Sequence, residues 1–304
     1  MTIKSVVPAD TRQIHCPACR SFATLPTGIT PMDFEGFSTS TKAFGVLRCR
    51  DCDSLFLDPQ PTLEDTRQFY AADYMAKAPV GWAFEAMVGF WDGLAARGFV
   101  KRLGRGAVLD YGCGDGSFVR RLRSAGCARV AGYDPMCQPD PEALIFDDLE
   151  AIAASGERFD VIRMHNSIEH LAAVDATMTR LRGLLKPDGC VFGETANGAH
   201  VSAKWFGAYW GYLHYPYHTV IFSPKGLALA ARRWGFANAE TLDTLTPGAW
   251  AFTMEHVAKR GFRIQRRGHL PVYPLLLLAS AVPVLLDRLL PGRTTGMAFR
   301  LSPA

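Results

Sequence analysis

The chain has only a small excess of positive over negative charge. Its 304 residues carry 33 lysines and arginines against 29 aspartates and glutamates, for a formal net charge of +4. No long run of basic residues concentrates that charge, although Arg263, Arg266 and Arg267 form a small cluster. Proteins that bind nucleic acid usually carry a basic patch or stripe. The composition therefore predicts a partner other than nucleic acid.

Long apolar segments are also rare. The N-terminal segment lacks the apolar core of a secretory signal, which predicts a cytoplasmic protein. The most apolar stretch, residues 272–286, is shorter than the roughly 20 residues that span a bilayer, and Pro283 interrupts it. We expect an apolar helix over residues 272–290. It would pack on the sheet edge, pack on the second subunit of a homodimer, or lie at a membrane surface.

Cysteine is too sparse for a disulfide scaffold, because only eight cysteines are present in the chain. Four of them nevertheless form two Cys-x-x-Cys pairs, Cys16 with Cys19 and Cys49 with Cys52. Two such pairs can place four thiolates around one Zn²⁺, whereas a redox site needs only one pair. The pattern predicts a structural zinc site in a small, zinc-ribbon-like module over residues 1–60.

From about residue 106, short apolar runs alternate with helical stretches. The runs are AVLDYG, RVAGYD, ALIFDD, FDVIRM and CVFGET. This rhythm predicts repeated strand–helix units and a mostly parallel sheet. The pattern of residues 61–105 predicts a helical connector. Residues 196–222 are rich in aromatic residues and histidine, do not follow the strand–helix alternation, and are expected to form an insertion. Residues 236–245 and 294–301 predict two further strands.

Three glycines, Gly112, Gly114 and Gly116, follow the first of these strands at alternate positions. Glycine lets a ligand approach the backbone closely, and the helix that follows offers free N–H groups. Carboxylates flank the turn, Asp110 among them, and they suit an ammonium group better than a phosphate. Asp134 ends the next strand, where an acid can accept both hydroxyls of a ribose. A ligand with an amine at one end and a ribose at the other is S-adenosylmethionine.

These segments resemble those of the class I S-adenosylmethionine-dependent methyltransferases. VLDYGCGDG is similar to the first motif of that family, FDVIRMHNSIEHL to its fourth-strand segment, and LLKPDGCVFGETAN to its turn into the fifth strand. The resemblance implies an α/β fold over residues 106–304, with a Rossmann-like sheet of seven strands whose last strand is antiparallel. The family usually has a helix before ALIFDD, but MCQPDPE is too short and too rich in proline to form one, which predicts an open adenine side.

The resemblance also implies which residues bind the cofactor. Asp110 and Gly112 would lie by the methionine end, and Asp134 would hold the ribose. The remaining candidates are Asp147 or Asp148 near the adenine, and Asn166 and Ser167 at the floor of the pocket.

A cysteine module in front of such a domain resembles two groups of enzymes. One acts on sugars or belongs to glycan and natural-product pathways in bacteria, and the other methylates guanine in ribosomal RNA. The weak net charge favours the first. We expect a small-molecule acceptor, such as a sugar, a nucleotide-sugar or a glycan or natural-product intermediate. The alternative is a non-catalytic relative that binds S-adenosylmethionine or a partner protein.

Methyl transfer requires alignment of the acceptor and, for some acceptors, removal of its proton. The segment HYPYH follows the fifth strand, and parallel sheets bind ligands beyond the carboxyl ends of their strands. His214 or His218 could take the proton, since histidine titrates near neutral pH, and Tyr217 could contact the acceptor. A lid packed by aromatic residues is the alternative interpretation. His165 and Glu194 are further candidates for the base.

Overall fold

The structure of the protein is a computed structural model. It describes residues 14–70, 82–140, 142–290, 292 and 294–303, with the backbone alone at residues 82–85. Within the predicted helical connector, residues 71–81 lie outside these ranges. The helices are α1 Leu63–Phe69, α2 Trp82–Leu103, α3 Ser117–Ser124, α4 Leu149–Ala154, α5 Val174–Gly183, α6 Ser202–Phe206, α7 Pro224–Arg233, α8 Pro247–Gly261, α9 Tyr273–Ala279 and α10 Ala281–Leu286. The strands are β1 Thr24–Pro26, β2 Gly45–Cys49, β3 Leu55–Asp58, β4 Ala107–Tyr111, β5 Arg129–Tyr133, β6 Ile145–Phe146, β7 Phe159–His165, β8 Leu185–Ala196, β9 Val220–Ile221, β10 Asn238–Thr244 and β11 Gly296–Ser302.

The larger sheet has seven strands in the order β10-β11-β8-β7-β4-β5-β6. The five strands from β8 to β6 pair in parallel, and β11 runs antiparallel to both of its neighbours. The predicted α/β fold with an antiparallel last strand is confirmed. Val108, Leu109 and Ile162 are buried at the centre of this sheet, because helices cover both faces of a parallel sheet.

The edge at β6 is short. Only Ile145 and Phe146 pair with β5, although the apolar run there is longer. No helix forms between Pro135 and Leu144 in the part of that segment which the structure describes, as the sequence predicted. Proline has no N–H to contribute to a helix, so the link from β5 to β6 remains an irregular loop.

The smaller sheet joins the cysteine module to the insertion. Its order is β1-β2-β3-β9, and all pairs are antiparallel. Strand β9 belongs to the 196–222 insertion, and Phe56 of β3 pairs with Val220. Arg233 of α7 donates hydrogen bonds to the carbonyl oxygens of Pro17 and Ala18. The strand pairing thus holds the insertion, which contains HYPYH, against the module, and the Arg233 contacts hold α7 against it.

Two helix starts follow the sequence closely. Thr62 caps α1, with its hydroxyl accepting from the Asp65 amide while the Asp65 carboxylate accepts from the Thr62 amide. Ser223 caps α7 by accepting from the Gly226 amide at 2.8 Å, and Pro224 occupies the first helical position, where its missing N–H is not needed. The Ser223 hydroxyl also donates to the Cys52 carbonyl, which ties α7 to the cysteine module.

The apolar segment near the C-terminus forms two helices, α9 and α10, in place of the single helix expected over residues 272–290. Ser280 is the residue between them. Both pack against α8 through a few residues, among them Tyr273 and Val284. Within the described residues, no helix is both long and apolar enough to cross a membrane.

Candidate active site and metal centre

The glycine turn lies between β4 and α3, at the carboxyl end of the parallel strands. Gly112 has φ +81° and Gly116 has φ +72°, a region that other residues rarely adopt. A Cβ atom at Gly112 would collide with Ser167 Oγ, and one at Gly116 would collide with Ile145. Glycine is therefore required at both positions, by the backbone conformation and by the close packing of Ser167 and Ile145 against the turn.

Asp134 lies at the end of β5, beside this turn. Its Oδ2 accepts from the Gly114 amide at 3.0 Å and its Oδ1 accepts from the Met136 amide at 2.8 Å. Burial, together with the charge of Asp110, raises the pKa of the Asp134 carboxyl. The carboxylate is thus fixed at the end of β5, and its remaining lone pairs can accept hydroxyl groups.

Asp110 is a buried residue of β4, and only one of its two carboxylate oxygens has a partner. Its Oδ1 lies 2.6 Å from Arg163 Nη1, and the guanidinium of Arg163 stacks over the ring of Phe118 at 3.7 Å. The Asp110 Oδ2 atom is buried and has no hydrogen-bond partner within the described part of the chain. A buried oxygen of this kind is costly unless a donor reaches it, and the ammonium of a methionine group would supply one.

The other predicted cofactor residues have distinct surroundings. Ser167 Oγ donates to the carbonyl oxygens of Tyr111 and His165, both at 3.1 Å, at the end of β7. Asn166 is exposed with φ +49°. Asp148 caps α4 by accepting from the Glu150 amide, whereas Asp147 is exposed. The structure thus brings Asp110, Gly112, Asp134 and Ser167 to adjacent strand ends, and gives Asp148 a structural contact.

Three histidines meet next to this edge. One ring nitrogen from each of His170, His214 and His218 lies within 4.8 Å of the other two. His218 Nδ1 is 2.8 Å from the carbonyl oxygen of Tyr212, and because a carbonyl only accepts, Nδ1 carries the proton. The lone pair of neutral His218 is then on Nε2, which lies 3.3 Å from His214 Nδ1. Either a hydrogen-bond chain or a metal ion would fit this separation.

A buried acid, Glu169, and a half-buried acid, Glu35, flank the histidines, and the sequence had not identified either as a site residue. Glu169 Oε2 accepts from Thr195 Oγ1 at 2.9 Å, while Oε1 lies 3.9 Å from His218 Nε2. Burial raises the pKa of Glu169 to about 7. Glu35 Oε1 lies 3.4 Å from His214 Nε2; burial alone would raise its pKa, but the positive charge of His214 holds it at about 2.

His170 and His218 favour the neutral form in this environment. Burial, followed by the neighbouring histidines, lowers the pKa of His218 well below its ordinary value. The pKa of His170 falls to about 3 for the same reasons, and its Nδ1 lies 2.8 Å from the Tyr70 hydroxyl. A neutral His218 can accept a proton on Nε2, and Glu169 lies on the same side of the ring.

The remaining catalytic candidates occupy two places. Tyr217 is buried, and its ring stacks on His214 with centroids 4.7 Å apart. His165 is exposed and is paired with Glu194 across β7 and β8, with 4.0 Å between His165 Nδ1 and Glu194 Oε2. Burial raises the pKa of Glu194. His165 and Glu194 thus form a second pair at the strand ends.

The four cysteines of the two predicted pairs converge on one point. Sγ of Cys16 lies 3.7 Å from that of Cys52, and Sγ of Cys19 lies 3.5 Å from that of Cys49. All four sulfurs lie within 4.8 Å of one another, and none is in a disulfide. Tetrahedral zinc with Zn–S bonds of about 2.3 Å separates its sulfurs by about 3.8 Å. The cluster therefore fits the donor set and dimensions of a Zn²⁺ site.

The two turns around the cysteines are built alike. The Arg20 amide donates to the Cys16 carbonyl at 2.8 Å, and the Asp53 amide donates to the Cys49 carbonyl at 3.0 Å. Arg20 and Asp53 both have left-handed backbones, with φ +65° and +61°. Each turn thus directs two thiols to the same side.

Comparison with known proteins gives similarities over the larger domain. A family model described as methyltransferase domain matches residues 87–241. The ubiquinone biosynthesis O-methyltransferase of Cereibacter sphaeroides is 34% identical over 117 residues, covering 32% of this chain and 47% of that protein. The protein of the same name from Agrobacterium fabrum is 33% identical over 102 residues, covering 30% of this chain and 40% of its own length. The chain thus spans about half, or less, of the length of these curated relatives.

Among solved structures, an S-adenosylmethionine-dependent methyltransferase from Archaeoglobus fulgidus is similar with a TM-score of 0.42 and 14% identity, covering 73% of this chain and 99% of that one.

Proposed function

Because this chain belongs to the family of methyltransferase domains, we propose that it transfers a methyl group from S-adenosylmethionine to a small-molecule acceptor. The observation that carries the proposal is the contact between the glycine turn and Asp134, at the carboxyl ends of β4 and β5. Ligands of open α/β sheets bind at such an edge. The absence of a phosphate-binding lysine after the glycines agrees with a ligand that has an amine in place of a phosphate.

Each end of the cofactor has a matching group in the site. S-adenosylmethionine supplies an electrophilic methyl group on a sulfonium. Asp134 would accept the ribose hydroxyls, and the orphan Oδ2 of Asp110 would accept from the ammonium group. Arg163 compensates the charge of Asp110, so the pair can remain buried before the cofactor binds. Gly112 lets the turn pack directly against the Ser167 side chain at the strand ends.

We assign proton removal from the acceptor to the histidine cluster. Nε2 of neutral His218 accepts the acceptor's proton as the methyl group arrives, with Glu169 beside it to stabilise the resulting positive charge. His214 links His218 to Glu35, and so extends the path by which the proton leaves. The burial of Tyr217 and its stacking on His214 fit a role in holding that ring in place.

The acceptor that fits these residues is a polar molecule with a hydroxyl or amine group, of the sugar, nucleotide-sugar or glycan-intermediate class. Support comes from the weak net charge and from the polar character of the cluster, where Tyr70 and the histidines offer hydrogen bonds. The curated relatives are named O-methyltransferases, and a hydroxyl acceptor agrees with a site that contains bases.

The four cysteines would hold one Zn²⁺ in a structural role. Four thiolates leave no open coordination position, so the metal would contribute folding energy and no chemistry. Its place beside β3 supports the strand on which β9 and the preceding histidines depend.

The test combines binding with turnover. Calorimetry with S-adenosylmethionine and with its demethylated product is expected to give micromolar dissociation constants. A panel of sugars, nucleotide-sugars and phenols is then screened for release of the demethylated product. Absence of binding would overturn the cofactor assignment, whereas binding without turnover on any acceptor would favour a non-catalytic relative.

A further inference from the structure

A row of aliphatic side chains runs along the outer face of α9, of α10 and of the short helical turn that follows α10. Its members are spaced by three and four residues and are between 64% and 80% exposed. They are Leu275, Leu278, Val282, Leu285 and Leu289. We call them the leucine row. Contiguous exposed apolar surface of this kind is unusual on a soluble protein unless something covers it.

The orientation of this row is fixed by the opposite face of the helices. Trp250 Nε1 of α8 donates to Asp287 Oδ1 at 3.0 Å, and Asp287 Oδ2 accepts from the Thr295 amide and hydroxyl. At the start of α9, the ring of Tyr273 stacks on His269 with centroids 3.8 Å apart. Rotating the row inward would break these buried contacts, so the leucines face outward as a property of the fold.

A basic cleft adjoins the beginning of the row. The segment between α8 and α9 lines a cleft of about 530 Å³ against residues 32–36. Five of its lining residues are basic, and Asp33 is the only acid among them. The basic residues are Lys259, Arg260, Arg263, Arg266 and Arg267.

At the basic cleft, exposed arginine side chains lie next to an exposed aromatic side chain in the sequence. Lys259 Nζ donates to the carbonyl oxygens of Phe34 and Gly268, both at 2.7 Å, which anchors the segment. Arg260 and Arg263 are exposed, and Phe262 between them is 79% exposed. An aromatic side chain between two arginines is suited to the boundary between lipid headgroups and acyl chains.

The composition of the row distinguishes a lipid surface from a second protein. Cores of protein interfaces are enriched in aromatic residues, methionine and arginine, and leucine and valine are under-represented among their energetic hot spots. The leucine row contains only leucine and valine, the arginines of the basic cleft adjoin its beginning, and the exposed Arg288 lies beside its last member, Leu289. Hydrocarbon accepts such a surface without shape complementarity, and anionic headgroups attract the arginines.

We propose that the leucine row and the basic cleft bind an anionic lipid surface. The helices lie in the plane of the membrane, with the row immersed in the acyl boundary and Arg260 and Arg263 against lipid phosphates. This inference goes beyond the methyl-transfer function and does not rest on it. It would bring the site toward acceptors that are held at a membrane.

The test is co-sedimentation with vesicles of equal parts phosphatidylcholine and phosphatidylglycerol, and with vesicles of phosphatidylcholine alone. The full chain is expected to bind the anionic vesicles more tightly, and the difference should shrink at high salt. The double variant Leu278→Glu/Leu285→Glu is expected to lose about tenfold or more in binding. Arg260→Glu/Arg263→Glu is expected to lose only the preference for anionic vesicles.

Leu63→Glu is the matched control, because Leu63 is a leucine with 66% exposure on α1, outside the row. It is expected to bind vesicles as the unmodified chain does. Far-ultraviolet circular dichroism and the thermal unfolding midpoint verify that each variant is folded. Absence of binding to anionic vesicles by the unmodified chain would overturn the proposal. So would a dimer in solution that the two glutamates dissociate while vesicle binding persists.

Discussion

Glu169 Oε1 lies 3.9 Å from His218 Nε2, and that oxygen has no hydrogen-bond partner within the part of the chain that the structure describes. Both side chains are buried, in segments far apart in the sequence. Burial raises the pKa of the Glu169 carboxyl to about 7, and it lowers the pKa of the His218 imidazole well below its ordinary value. The titration of Glu169 can be tested separately from any acceptor.

Stability should depend on pH through Glu169. Its pKa is raised from 4.5 to about 7 on folding, so between those values the folded chain holds a proton that the unfolded chain has lost. The free energy of unfolding should therefore fall as pH rises through this window, by roughly 3 kcal/mol in total, with no further change above it. Glu169→Gln, which does not titrate, should lack this decline. Denaturant titrations of both proteins from pH 5 to pH 8 measure the difference, and an equal difference at every pH contradicts the assignment.

Removing the base should slow turnover without affecting cofactor binding. His218→Ala and His214→Ala are each expected to lower turnover on the acceptor by about 10²–10⁴, because loss of a general base typically costs that much. Affinity for S-adenosylmethionine should be nearly unchanged. His15→Ala, at an exposed histidine outside the cluster, is the control. Full turnover in both cluster variants would favour the lid interpretation, and the base would then be sought at His165 or Glu194.

Asp134→Ala should weaken binding of S-adenosylmethionine and of its demethylated product alike. Loss of the ribose acceptor is expected to cost about 1–3 kcal/mol, or roughly 5- to 150-fold in affinity. Asp188→Ala is the control, since Asp188 is an exposed aspartate near the start of β8, away from the carboxyl ends of the strands. Calorimetry compares the two variants. Equal affinity in Asp134→Ala and the unmodified chain would refute the ribose assignment.

The purified chain should contain one tightly bound zinc. Cys49→Ser should release it and lower the free energy of unfolding by about 4 kcal/mol or more, because the metal contributes folding energy to a small module. Cys137→Ser, at a half-buried cysteine outside the cluster, should retain the metal.

His218→Ala should also keep the full zinc content, which separates the cysteine cluster from a second metal at the three histidines. Elemental analysis gives the count. A chain free of zinc, iron and other thiophilic metals would rule out the cysteine site.

Much of the larger sheet could be predicted because its strands are buried on both faces and read as apolar runs. Val108 and Leu109 belong to such a run, and the cap residues Thr62 and Ser223 marked two helix starts. The short strand β9 could not be predicted, because two residues carry no periodicity and its partner is Phe56, far away in the sequence.

Some residues of the candidate site could likewise be predicted from the sequence, and others could not. Asp110 and Asp134 follow neighbouring strands, so the rule for parallel sheets places them together. Glu35 belongs to an irregular segment without a motif, and only the folding of residues 32–36 against α8 brings it to His214. Contacts of this kind depend on long-range packing, and local sequence carries no signal for them.

The pairing of Phe56 with Val220 also constrains how such chains can change over generations. Strand β9 of the insertion pairs with β3 of the cysteine module. Recombination that replaced only one of these segments would therefore leave the edge of the other strand without its hydrogen-bond partner. The two segments are therefore expected to be inherited as a unit. Lineages that have lost the four cysteines should also have lost HYPYH, and a chimera that keeps only one of them should fail to fold.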